Sequence, residues 1–156
     1  MTIERDISSL VERIQSSGSS ALSDDFRAQL DTLLRELVEE SSDIIGALVT
    51  SSDGHAWGQV LPPGFDGRRF AAMSSAMMAL SDTLAREAKK GPTVNVMVEG
   101  MEGNIYVLHA GKNLSLTVFT NIKPNLGLTL AQARRAVDRI VIQAREAAER
   151  IAGVKP

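Results

Sequence analysis

Apolar positions recur every three to four residues over four stretches of the chain and cluster or alternate over five shorter ones. These are the signatures of amphipathic helices and of strands. The first helical stretch is short: Ile3, Ile7, Leu10, Val11 and Ile14 share one face over residues 3–15. Ser16-Ser17-Gly18-Ser19-Ser20 follows, with the composition of a flexible linker. Residues 1–20 therefore read as an appended helix and linker, and residues 21–156 as the domain. Ser23 predicts an N-cap, with Asp24 and Asp25 placed favourably at the helix dipole's positive end. Phe26, Leu30, Leu33, Leu34, Leu37 and Val38 then form a strong stripe to about Glu40.

Residues 44–50 are apolar on both parities, which predicts a strand covered on both faces. Ser52-Asp53-Gly54 is a hairpin turn, and residues 55–60 return as a weaker strand diluted by Gly58 and Gln59. A loop through Pro62, Pro63 and Gly64 leads to the longest uninterrupted signal in the middle of the chain. Asp66 predicts its N-cap, and Lys89, Lys90, Gly91 and Pro92 its end. On this central helix Phe70, Met73, Met77, Leu80 and Leu84 share a face that is expected to lie on the core. The opposite face carries Arg68, Ala72, Ser75, Ala79, Asp82 and Arg86. Its middle is small where a solvated face is usually rich in Glu and Lys. Alanine there is either simply a good helix former or a sign that a second backbone approaches closely.

Val94, Val96 and Val98 alternate with polar neighbours as a one-sided third strand. Residues 105–108 form a fourth, two-sided strand, and Leu114, Leu116 and Val118 mark a fifth. After Asn121 to Pro124 a last helix is predicted, with its stripe at Leu130, Ala133, Val137, Ile140, Val141, Ala144, Ala148 and Ile151. Short turns make hairpins of strands 1–2, 3–4 and 4–5. Strand 1 needs an internal place, and strands 2 and 3 read as edges. Pairing strand 1 with strand 5 meets both demands. The expected architecture is α+β: a five-stranded antiparallel sheet of order 2-1-5-4-3 inside an α/β/α sandwich. The central helix is expected to cover one face and the two other domain helices the second.

Composition narrows the function. Hydrophobic residues are 44% and charged residues 23%, an ordinary globular balance. A formal net charge of −2 gives no reason to expect nucleic acid or an anionic membrane as partner. The chain has no Cys, which removes disulfides, thiolate catalysis and Cys-based metal sites together. Charged residues interrupt any N-terminal apolar run, and no run approaches the length of a membrane span. A cytoplasmic protein without membrane insertion is expected.

Candidate chemistry is sparse. His55 and His109 lack partners at metal-ligand spacing. The chain has no GxxxxGK[ST], no GxGxxG after a strand and no GxSxG. Its carboxylates Asp24, Asp25, Glu39 and Glu40 fall at helix ends or on polar faces. Arg134 and Arg135 fall near the start of the last helix on an exposed face. Trp57 and Tyr106 are isolated and build no base-stacking platform. No catalytic residue, metal site or cofactor is expected, and the chain is not expected to be an enzyme.

From about Phe26 to Ile151 the chain resembles the roadblock family, that of dynein light chains, endosomal adaptor subunits and prokaryotic relatives. The resemblance is carried by Ile45-Gly46-Ala47-Leu48-Val49 followed by Ser52-Asp53-Gly54, by Met73-Ser74-Ser75-Ala76-Met77-Met78, by Asn125-Leu126-Gly127-Leu128, and by Ala133-Arg134-Arg135-Ala136. The order and spacing of these segments carry it more than any one of them. The appended residues 1–20 depart from a minimal member. The resemblance implies a profilin-like sheet and a non-enzymatic homodimeric adaptor that binds a small Ras-like GTPase or scaffolds a complex containing one. It also implies that the dimer forms through the strand after the central helix, here Thr93, Val94, Asn95, Val96 and Met97, and through Ala72, Ser75 and Ala79. Arg68, Ser75, Asp82 and Arg86 would then flank the seam and meet the partner. A dimerisation module without a GTPase, and a small-ligand sensor, are the alternative readings.

Overall fold

A computed structural model describes residues 20–151. The appended helix over residues 3–15 lies outside the described residues. The first described helix, α1, runs Ser20–Glu40, so the expected linker already turns helical at Ser20, three residues before the expected cap at Ser23. Then come β1 (Ile44–Ser51), β2 (Ala56–Val60), α2 (Gly67–Glu87), β3 (Asn95–Gly100), β4 (Gly103–His109), β5 (Leu114–Thr120) and α3 (Leu126–Ile151). The sheet is antiparallel throughout, in the order β2-β1-β5-β4-β3 expected from the patterning.

The main core lies between the sheet and the α1/α3 layer. Phe26, Leu30 and Leu34 of α1 and Ala133, Ile140 and Ala144 of α3 are buried against Val49, Leu116, Val118, Tyr106 and Leu108. Leu116 and Val118, like Tyr106 and Leu108, are two apart on one strand, and Val49 and Leu108 both pair with Leu116, so all five point to one face. Ala133, Ala136, Ala144 and Ala147 keep the α3 contact thin, which lets α3 settle beside α1. Arg139 ties to Glu36 at 2.7 Å across the outside of that pair.

The second face of the sheet carries α2. Strand register places Leu48, Thr117, Val107 and Val96 in one row, and Gly46, Phe119, Ile105 and Val98 in the next. Thr117 donates a 2.9 Å hydrogen bond to Ser74 of α2, and Phe119 packs edge-on against Phe70 at 5.0 Å. Both rows therefore face α2.

Candidate interaction interface

The two edge strands are treated differently, and the difference locates the site. On β2 the outward backbone groups are taken up by α1: Asp31 accepts from the Gln59 amide at 2.9 Å, and Arg27 donates to the Ala56 carbonyl at 2.9 Å. The Arg27 guanidinium also covers the Trp57 ring at 4.4 Å, and Trp57 packs on Phe26. That edge is blunted by its own helix. On β3, among the described residues, no side chain or loop bonds to the free edge. Its sequence, Asn95-Val96-Met97-Val98-Glu99-Gly100, holds no Pro or Lys to discourage pairing.

The seat of α2 sets what lies beside that edge. Asp66 caps the helix by accepting from the Arg68 and Arg69 amides, as the sequence predicts. The buried row is Gly67, Ala71, Ser74 and Met78. This corrects the expectation that Phe70, Met73, Met77, Leu80 and Leu84 lie on the core. Of these, Met73, Leu80 and Leu84 are 50%, 72% and 68% exposed. The physical reason is proximity. Gly67 lies against the Gln59 side chain, and the backbone of Ala72 passes close to Gly54. Small residues let the helix backbone sit down directly on the β1–β2 end of the sheet. That turns the bulky stripe aside, into a flank, and only Phe70 keeps aromatic partners, Phe65 and Phe119. The stripe is there on the helix, but periodicity does not say which of two stripes touches the sheet.

The other predicted residues are distributed as follows. Ala72, Ala79, Arg68 and Arg86 are exposed on α2. Ser75 is half-buried and donates to the Ser52 carbonyl at 2.7 Å, which fastens α2 to the β1–β2 turn. Thr93 and Val94 precede β3, with Val94 66% exposed, while Asn95, Val96 and Met97 open the strand itself. The open flank of α2 and the uncapped strand thus belong to the same side of the sheet. Val98 of β3 joins the exposed apolar set there.

One pairing was not legible locally. His109, at the end of β4, bonds Asp82 of α2 at 3.0 Å across a separation of 27 residues. Burial works against ionisation of Asp82, but the His109 hydrogen bond and charge, the nearby Thr93 hydroxyl and the charge of Arg86 outweigh it and hold the carboxyl below its ordinary value. The Thr93 hydroxyl itself is buried without reaching hydrogen-bond geometry. His55 is a surface residue 3.7 Å from Asp53. Among the described residues no group of His, Asp or Glu is arranged to hold a metal ion, and no helix is long and apolar enough to cross a membrane.

The Roadblock/LC7 domain family matches this sequence over residues 30–120. An uncharacterised protein of Methanocaldococcus jannaschii, MJ0310, is 33% identical over 111 residues, covering 71% of this chain and 96% of the relative. Among solved structures, Myxococcus xanthus MglB superposes with a TM-score of 0.72 at 16% identity, over 78% of this chain and 91% of that one. Acanthamoeba castellanii profilin IA gives a TM-score of 0.52 at 12% identity, over 72% and 97%. The last two likenesses concern the fold, which is profilin-like. The family match runs from within α1 to the end of β5 and so covers α2 and all five strands. On that evidence the chain belongs to the Roadblock/LC7 domain family.

Proposed function

We propose that this chain is a non-enzymatic homodimeric adaptor that binds a small Ras-like GTPase, or a complex containing one, in the cytoplasm. The observation that carries the self-association is the free β3 edge beside the exposed apolar flank of α2. Antiparallel pairing of β3 with its symmetry mate satisfies the edge and extends the sheet across a two-fold axis. The same axis brings two α2 helices together, and Met73, Leu80 and Leu84 lose their exposure to water. Ala72 and Ala79, exposed on the helix back, leave room for close approach. Arg68, Ser75, Asp82 and Arg86 lie on the flank away from Met73 and Leu84, where a partner meets charge rather than apolar surface. The GTPase as partner rests on family membership, not on a feature of this site. Catalysis by the partner's own residues requires no donated side chain, although an arginine supplied in trans serves elsewhere.

The test is affinity capture by the purified chain, with GDP or a non-hydrolysable GTP analogue added, followed by mass spectrometry and reconstitution with the purified GTPase. A Ras-like GTPase retained by wild type in one nucleotide state is the expected result. A dimer that retains none in either state rejects the GTPase and leaves a dimerisation module.

A further inference from the structure

A cleft of about 800 Å³ opens where the end of α2 meets the β4–β5 turn. Its size is that of a small-ligand site. Asp82, Arg86, Lys89, Thr93, His109 and Lys112 bring it polar groups from two stretches, residues 82–93 and 109–112. Arg86, Lys89 and Lys112 supply three positive charges against the single negative charge of Asp82, on a chain whose overall charge is −2. Asp82 is already committed to His109 at 3.0 Å. Among the described residues Arg86, Lys89 and Lys112 form no ion pair within 4.0 Å. The cleft therefore holds an excess of unneutralised cations facing a concave space, an arrangement that attracts an anion.

The backbone here is also unusual. Lys89 takes φ 58, a left-handed conformation that favours glycine, although Gly91 stands only two positions on. The amides of Ala88, Lys89 and Lys90 are already given to the Leu84, Arg86 and Ala85 carbonyls. Backbone donors of that turn are thus closed to a ligand, and they hold the base of the Lys89 side chain in place.

We propose that this cleft binds a small molecule carrying two or more linked phosphates. Two cations at the end of α2 and one on the β4–β5 turn line the cleft from two sides, which suits tetrahedral groups with oxygens on several sides better than a planar carboxylate. The guanidinium of Arg86 offers a fork to one phosphate, and the two lysines act as point charges on its neighbour. A single phosphate would leave most of the cleft empty. The cleft is lined by one chain, so its test needs no GTPase, although Asp82 and Arg86 also lie on the flank proposed above to meet one.

The experiment is a titration of the full chain with inorganic pyrophosphate, and in parallel with ADP, at fixed ionic strength, followed by amide chemical shifts. Sodium sulfate serves as the simple-anion control. Shifts confined to residues 86–93 and 109–112, larger than those with sulfate, are expected. Lys89→Ala with Lys112→Ala should weaken binding roughly tenfold or more. Both side chains are exposed, so unchanged thermal unfolding checks that the double variant is folded. Absence of shifts at millimolar pyrophosphate overturns the proposal, as does equal binding by the double variant. Binding of a polyglutamate peptide in preference to pyrophosphate also overturns it, and gives the cleft to an acidic protein segment. Response to ADP but not to pyrophosphate would show that the base, not the phosphates, is recognised, which overturns it too.

Discussion

At Gly103, where β4 begins, φ is 135, and an added Cβ would stand 2.5 Å from the Thr120 carbonyl oxygen and 2.8 Å from that of Asn121. Both are backbone atoms at the C-terminal end of β5, so neither can swing aside as a side chain can. Gly103→Ala should therefore lower stability by about 2–4 kcal/mol, from strain and overlap together. Gly67 is the comparison: the three atoms nearest its added Cβ all belong to the Gln59 side chain, whose flexible end can swing away. Urea denaturation of the two variants should separate them clearly, and equal losses would show that the Gly103 contact relaxes. Gly100 and Gly103 bracket the short β3–β4 turn; the crowding at Gly100 is local, from the Gly103 carbonyl, whereas that at Gly103 comes from the end of β5, which approaches it from elsewhere in the chain.

Among the elements, the two edges of the sheet make the sharpest contrast. The weak pattern of β2 and the one-sided pattern of β3 identify both as edges, and the structure agrees. That Asp31 and Arg27 close one of them depends on where α1 crosses the sheet, and no local signal in α1 announces it. Asp31→Ala removes the acceptor of the Gln59 amide. A charge-assisted hydrogen bond at a partly exposed site is worth about 1–2 kcal/mol. Thermal unfolding should report that loss, and hydrogen exchange should show the Gln59 amide becoming markedly less protected. If exchange is unchanged, the β2 edge is guarded by packing rather than by this carboxylate. Periodicity likewise located α2 and its two faces correctly. It misplaced the core contact, because the winning face, Gly67, Ala71, Ser74 and Met78, is held by close approach and by the Ser74–Thr117 hydrogen bond rather than by large side chains.

For the whole molecule the question is which part of α2 forms the seam. The sequence and the family resemblance pointed to Ala72, Ser75 and Ala79. Ser75 is engaged with Ser52, while Leu80 and Leu84 present much more apolar surface to water. An arginine at a close two-fold contact is felt twice, at about 1–3 kcal/mol of overpacking per site before charge desolvation. Leu84→Arg should shift sedimentation equilibrium toward monomer more strongly than Ala79→Arg. Leu84 is exposed in the single chain, so the variant should unfold normally once monomeric. The reverse order of effects would return the seam to the small-residue face, and no effect of either would place it away from α2.

What the sequence determined by itself was whatever depends on neighbours along the chain. Asp66 as a cap, Gly54 and Gly111 in turns, and the alternation that separates one-sided from two-sided strands all act within a few residues. Hairpin connection and the burial demand of β1 then left one satisfactory sheet order, which is why the topology was legible. The tertiary structure alone decided which face of α2 is buried, that Asp82 meets His109, that α1 guards β2 and leaves β3 open, and that Arg86, Lys89 and Lys112 share a cleft. Each of these is a contact between segments far apart in sequence. Such contacts are settled by packing distance, which small residues such as Gly67 and Ala71 control and hydrophobic periodicity does not record.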